Sequence, residues 1–91
     1  MKIGKYNYEK STRKNKKLMT EVNGKMIHFG DSNMDHFLDK TGIWKKNNHG
    51  DDRRRKSYLS RSKGIKNKNG DLTWKNPEYP NYHSIKILWN G

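Results

Sequence analysis

Two short segments rich in apolar residues, 17–22 and 25–29, flank an Asn-Gly pair at positions 23–24. Asn-Gly readily adopts the two positive φ angles of a type I′ turn, which joins neighbouring antiparallel strands. The pattern therefore predicts a β-hairpin over residues 17–29.

The segment after the hairpin has the spacing of a short helix. The polar pair at 31–32 can cap its start, and Met34, Phe37 and Leu38 fall at positions i, i+3 and i+4 of one face. Gly42 follows as a stop signal. We expect this helix to cover the hairpin with its apolar face.

A second helix is predicted from 51–52 to Gly64, and it is strongly cationic. Tyr58 and Leu59 point to one side with Arg55 between them, so we expect Arg55 to pair with an acid of the domain body. The rest of the circumference carries basic residues: Arg53, Arg54, Lys56, Arg61 and Lys63.

The C-terminal third combines turns with one more apolar segment. Asn69-Gly70 predicts a small hairpin toward Leu72 and Trp74, and the prolines keep residues 76–80 irregular or extended. From Asn81 the chain fits a helix, or almost as well a strand. A helix would carry Tyr82, Ile85, Leu88 and Trp89 on one arc of about 120°, with His83, Ser84 and Lys86 outside it.

These elements predict an α+β fold: a small single domain over residues 17–91 with a β-hairpin and two or three short helices. Residues 1–16 precede it, with many charges, few apolar residues and no period. Such a segment cannot bury enough surface to offset its ordering entropy. We therefore predict a flexible basic N-terminal arm, whose Tyr6 and Tyr8 suit base stacking or anchoring into a protein groove.

Length and composition limit the protein to one modest core. The chain has 91 residues and no cysteine, which excludes disulfides, thiolate metal sites and a thiol nucleophile. Its longest apolar run, residues 87–89, is far too short for a membrane span. Residues 1–4 lead into charge rather than into an apolar signal region, so we expect neither a membrane span nor secretion.

Charge is the strongest compositional signal. The 21 Lys and Arg residues outnumber the 9 Asp and Glu, which gives a net charge of +12 and indicates a polyanionic partner, most often nucleic acid. Residues 53–68 contain no acid, and their cations repel one another unless something anionic neutralises them. The predicted polyanion-binding residues are Arg53, Arg54, Lys56, Arg61, Lys63, Lys66, Lys68, Arg13, Lys14, Lys16 and Lys17.

Several short motifs follow one another along the chain. They are HFG at 28–30, RRRKSYLSR at 53–61, WKNP at 74–77, YHS at 82–84 and ILWN at 87–90. In this order they resemble a family of short basic proteins of unknown function, encoded by nucleocytoplasmic large DNA viruses and some phages. The chain differs from that pattern at Ser62, where a histidine is common, and at Tyr82, where a tryptophan is frequent. The resemblance implies a viral origin and a place in the virus particle.

Four histidines invite a comparison with metal-dependent nucleases. Residues 47–52 and His83 can be arranged as the pieces of a His-Asn-His nuclease, but no spacing matches a recognised ligand motif. No P-loop or dinucleotide-binding glycine motif is present either. We therefore predict no enzymatic activity, metal, cofactor or small-molecule substrate, and keep the nuclease as a remote alternative.

Aromatic residues and charge leave two functions open. Trp44, Trp74 and Trp89 can stack on bases, although packing in the core or against a partner explains them better. In the first function, the protein is a minor capsid component on the inner side of a virion, where it contacts coat proteins or packaged DNA. In the second, it is a free nucleic-acid-binding protein in the cytoplasm or viral factory of the infected cell.

Overall fold

The N-terminal third of the chain forms an antiparallel sheet in a computed structural model that describes residues 1–91. Its strands are β1 (Lys2–Ile3), β2 (Tyr6–Lys10), β3 (Lys16–Val22) and β4 (Lys25–Asp31). They lie in the order β1-β2-β3-β4, so each strand pairs with the next one along the chain. With the helices that follow, the sheet makes a small α+β domain, as predicted.

The predicted hairpin is confirmed as β3 and β4. Val22 pairs with Lys25, which leaves two turn residues between the strands. Their φ angles are 52° at Asn23 and 79° at Gly24, the two positive values that a type I′ turn needs. A local sequence signal therefore determines the register of the longest strand pair.

The prediction of a flexible arm over residues 1–16 is wrong where the chain forms β1 and β2. Tyr8 pairs with Thr20 across β2 and β3, and only 2% of its surface is exposed. Tyr6 is half-buried and packs edge-on against Tyr82, so neither tyrosine is free to stack on a base. β2 has only five residues and lies among lysines. Its alternation of apolar and polar positions therefore consists of two tyrosines, which is too short a pattern to predict a strand.

The short helix predicted after Gly30 is absent, and residues 32–50 form a loop with one 3-10 turn at Lys45–Asn47. Side chains bind the backbone groups that a helix would have paired. The Asp39 carboxylate accepts hydrogen bonds from the N–H groups of Thr41 and Trp44, each at 2.8 Å. Short polar side chains compete with helix formation in this way, so the apolar spacing alone gave the wrong prediction.

The predicted cationic helix is confirmed as α1 (Asp52–Ser62). Asp51 caps its start, because its carboxylate accepts from the backbone N–H groups of Arg53 and Arg54 at 2.9 and 3.2 Å. Such a cap satisfies donors that have no partner within the helix. The chain then turns around Asn69-Gly70, and the small hairpin expected there is a single antiparallel bridge.

The C-terminal segment is helical, with an unexpected change of pitch. α2 (Pro80–His83) continues directly as a π-helix over Ser84–Leu88. A π-helix bonds residue i to i+5, so its side chains do not follow the α-helical wheel. Ser84, at the start of this π-helix, and His83, the last residue of α2, are both buried, although the wheel placed them outside. No helix of the chain combines the length and the apolar character that crossing a membrane requires.

The core lies between the sheet and the π-helix. Its buried members are Tyr8, Leu18, Phe29, Ile87, Leu88 and Trp89. Gly30 permits the close approach of these two layers: it has a φ of 78°, and a Cβ atom there would lie 2.9 Å from Leu88 Cδ1. A side chain at this position would be strained by the positive φ and would force the Leu88 and Lys17 side chains to move.

Replacing Tyr8 with Ala should lower the free energy of unfolding by about 3 kcal/mol or more, because it removes a buried ring from the core. Urea denaturation measures this change. Asn7→Ala on the exposed side of the same strand is the control, and it should change stability by less than about 0.5 kcal/mol. Equal and small effects of the two variants would show that β2 does not belong to the core.

Candidate anion-binding surfaces

A groove of about 630 Å³ runs between α1 and the sheet, and we call it the α1 groove. One wall is α1, and the opposite wall includes Lys16, Asp31 and Met34. Phe29 and Leu88 reach the groove from the core. The site thus combines an apolar base with charged walls.

One face of α1 forms the cationic wall of the α1 groove. Its lining residues are Arg53, Arg54, Ser57, Tyr58 and Arg61. These positions share one face of a helix with about 3.6 residues per turn. The sequence pattern grouped Tyr58 with Leu59 on the inner side of the helix, so it did not indicate that Tyr58 shares a face with the arginines. A wheel that groups Tyr58 with the arginines would have revealed it.

Few basic residues of the chain have an acidic partner. The two ion pairs both use Asp52, which lies 3.1 Å from Arg55 and 3.2 Å from Lys56. Asp31 and Asp35 line the α1 groove but form no ion pair. The arginines of the groove therefore have no ion-pair partner.

Arg55 stabilises the fold in a way that the sequence did not predict. Its guanidinium bonds Asp52 of its own helix rather than an acid of the domain body. It also donates to two C-terminal carbonyls, with Nε 3.1 Å from the oxygen of Trp89 and Nη2 2.8 Å from that of Asn90. Carbonyls at a helix end lack partners within the helix, so Arg55 joins α1 to the end of the chain.

Lys17 is buried and does not belong to the polyanion-binding set in which the sequence placed it. Only 2% of its surface is exposed. Its ammonium group donates to the backbone oxygen of Met34 at 2.5 Å and to His36 Nδ1 at 2.6 Å. Burial lowers the pKa of Lys17, while the nearby carboxylates, Asp35 first, act in the opposite direction. Lys17 alternates with Met19 and Glu21 rather than with the buried Leu18 and Thr20. Its burial comes instead from the loop that carries Met34 and His36, which the charge pattern alone did not show.

Two histidines are buried in the neutral form. His36 Nδ1 accepts from Lys17, so its Nε2–H donates to Asn48 Oδ1 at 2.6 Å. His83 Nε2–H donates to the oxygen of Pro77 at 2.6 Å, and Nδ1 accepts from the Tyr8 hydroxyl at 2.8 Å. Burial lowers the pKa of both histidines, and the charge of Lys17 lowers that of His36 further.

These bonds bear on the nuclease alternative. Both ring nitrogens of His83 are occupied inside the core, so this side chain cannot activate a water molecule. No group of three or more His, Asp or Glu side chains is placed to hold a metal ion. The structure gives the His-Asn-His arrangement no support.

A second cationic site surrounds a tryptophan, and we call it the Trp74 cluster. The ammonium nitrogens of Lys63, Lys75 and Lys86 lie 4.9, 5.6 and 6.0 Å from the centre of the Trp74 ring. Cations are attracted to an aromatic face at such distances. None of the three lysines has an ion-pair partner. The sequence had singled out Lys63 alone. Lys75 directly follows Trp74 in the chain, whereas Lys63 and Lys86 reach the ring only because the end of α1 and the C-terminal helix fold around it.

The remaining predicted residues are dispersed. Lys66 and Lys68 are exposed in the loop after α1, and Arg13 and Lys14 are exposed in the loop between β2 and β3. Of the predicted residues, Arg53, Arg54, Arg61 and Lys16 meet at the α1 groove and Lys63 at the Trp74 cluster.

The other two tryptophans pack within the domain. Trp44 donates its ring N–H to the backbone oxygen of Lys17 at 2.8 Å. Trp89 stacks on Tyr58, with the ring centres 4.0 Å apart and the planes within 7° of parallel. Trp74 is therefore the tryptophan best placed to meet a ligand.

Comparison with known proteins assigns the chain to a family. Residues 6–62 match a family of unknown function (DUF5754), and the chain belongs to it. The match runs from β2 to the end of α1, so it includes the arginine-bearing wall of the α1 groove and ends before Trp74. No curated protein and no solved structure shows a significant match.

Lowering the pH from about 7.5 to about 5.5 should lower the free energy of unfolding. The folded pKa values of His36 and His83 lie below the ordinary value of 6.5, so the unfolded chain takes up protons first as the pH falls. Urea denaturation across this range measures the effect, and His83→Gln should show a shallower pH dependence. Stability that stays constant or rises on acidification would contradict neutral buried histidines.

Arg55→Ala should lower the free energy of unfolding by about 1–3 kcal/mol, since it leaves two C-terminal carbonyls without a charged donor. Lys56→Ala removes an exposed ion pair to the same aspartate and should cost less than about 1 kcal/mol. Thermal or urea unfolding of both variants makes the comparison. A smaller loss for Arg55→Ala than for Lys56→Ala would contradict its role at the chain end.

Proposed function

We propose that this protein binds nucleic-acid phosphate without catalysis, as a minor structural component of a large DNA virus. The observation that carries the proposal is uncompensated charge: the net charge is +12, yet the only ion pairs use a single aspartate. Cations left unpaired in this way attract a phosphate backbone and release its counterions on binding.

The Trp74 cluster is the contact we assign to the nucleic acid. Three lysines around one ring offer ammonium groups to successive phosphates, and their long flexible stems can move from the ring to the ligand. A base can then stack on Trp74, as bases stack on the aromatic platforms of proteins that bind single strands. The exposed lysines of the loop after α1 add sequence-independent attraction.

The place in the particle is supported by the motif order along the chain, which resembles short basic proteins of large DNA viruses. Packaged DNA is strongly repulsive, and a small protein with a large positive charge can reduce that repulsion at the inner side of a capsid. Coat proteins would be neighbours there.

The second candidate is a free nucleic-acid-binding protein in the cytoplasm or viral factory, which the same charge supports. Detection of the chain in purified virions would separate the two locations.

Changing Lys75 and Lys86 together to Ala should reduce the salt dependence of nucleic-acid binding. The logarithm of affinity falls with the logarithm of salt by about 0.9 per phosphate neutralised on duplex DNA and about 0.7 on a single strand. The slope should therefore become shallower by about 1.8 on duplex DNA and about 1.4 on oligothymidylate. Fluorescence anisotropy with both probes around 0.15 M salt measures this near physiological screening.

The matched control is the double variant Lys45→Ala, Lys46→Ala, which removes the same charge from an exposed segment outside the cluster. We expect the control to keep the wild-type slope. Equal slopes in the two double variants would remove the Trp74 cluster as the contact. A flat salt response of the unmodified protein would overturn nucleic-acid binding altogether.

A further inference from the structure

We propose that the α1 groove binds an acidic peptide segment of a partner protein, with an apolar side chain of that segment inserted between the walls. This inference goes beyond nucleic-acid binding and uses a different surface from the Trp74 cluster. Either proposal can therefore fail while the other stands.

The apolar part of the groove is open to a ligand. Met34 and Ile65 line it with 59% and 51% of their surfaces exposed, together with the buried Leu88. Large apolar side chains grouped in a concavity indicate a binding surface rather than ordinary exposure. Methionine in particular adapts its shape to different partners. The volume of about 630 Å³ falls within the usual range of pockets that enclose a ligand.

The charge of the groove selects the chemistry of that ligand. Arg53, Arg54 and Arg61 stand on one wall without acidic partners, and Lys16 lies on the other. Guanidinium groups bind carboxylates through two parallel hydrogen bonds and hold them in a defined orientation. Acidic side chains of the segment should therefore face α1.

The walls favour a peptide over a nucleic acid. The aromatic rings of the groove are already occupied, since Tyr58 stacks on Trp89 at 4.0 Å and Phe29 is 1% exposed. A base would find aliphatic Met34 and Ile65 instead of a free aromatic face. Asp31 and Asp35 on the far wall would also repel a continuous phosphate backbone. An acidic peptide can place its acids on the arginine side alone.

A second copy of this chain is a poor occupant. Each copy carries a net charge of +12, so bringing another copy to the arginine wall is electrostatically unfavourable. The partner must therefore supply the negative charge that this chain lacks.

Fluorescence anisotropy of a short labelled peptide, in which Asp and Glu alternate with Leu and Phe, tests the proposal on the full chain. Two matched peptides serve as controls. One keeps the acids and replaces Leu and Phe with Ser, and the other keeps the apolar residues and replaces the acids with Asn and Gln. We expect each control peptide to bind at least roughly tenfold more weakly, because the groove needs both chemistries.

Variants of exposed residues locate the binding site. Arg61→Glu and Ile65→Ser in the groove should each weaken binding of the labelled peptide roughly tenfold or more. Their controls outside the groove are Lys68→Glu, with the same charge change, and Ile43→Ser, with 43% of its surface exposed. Both controls should retain most of the affinity. Cooperative urea unfolding of every variant verifies that it is folded.

Two results would overturn the proposal. One is that the groove variants and their controls weaken peptide binding equally, or that no variant weakens it. The peptide would then be held by general charge. The other is that oligothymidylate displaces the peptide and that its own binding requires Arg61 but not Lys75. The groove would then be a nucleic-acid site. Loss of peptide binding in Arg61→Glu with unchanged oligothymidylate binding supports the proposal.

Discussion

The hydrogen bond between the Tyr8 hydroxyl and His83 Nδ1, 2.8 Å long, joins the second strand to the C-terminal helix across 75 positions of the chain. His83 also bonds the oxygen of Pro77, so the helix is held from two directions. This attachment sets where the π-helix lies on the sheet. Trp89 then stacks on Tyr58 and positions α1. Both candidate surfaces depend on this sequence of contacts, because each one lies where α1 meets another part of the domain.

The structure divides basic residues that look alike in the sequence into three physical kinds. Lys17 is buried and bonded to neutral groups. Arg55 donates hydrogen bonds to two C-terminal carbonyls and so holds α1 to the C-terminal segment. The uncompensated cations form the third kind, and they separate by chemistry. Arginines line an apolar groove, where their planar groups can orient carboxylates. Lysines surround Trp74, where mobile point charges suit phosphates at varying positions. Net charge is therefore a poor guide to which cations can bind a partner.

Part of the candidate site was readable from the sequence. The cationic helix and the groove arginines were identified because charge and capping signals are local. Lys75 and Lys86 were not, because they become neighbours of Lys63 only when distant segments pack around Trp74. The apolar side of the groove was also missed, since Met34 was assigned to the face of a helix that does not form. There, side-chain hydrogen bonds of Asp39 took over backbone donors, and apolar spacing does not report such competition.

The sequence by itself determined the hairpin turn, the start of α1 and the sign of the charge, since each depends on residues close together along the chain. Asn23 and Gly24 adopt positive φ angles wherever the strands lie, and Asp51 caps the residues that follow it directly. Only the tertiary structure decided that β2 belongs to the sheet, that the loop after β4 buries Lys17 and that the last helix widens into a π-helix. In these cases the local preference is weak. Burial against distant residues supplies the larger free energy and therefore selects the conformation.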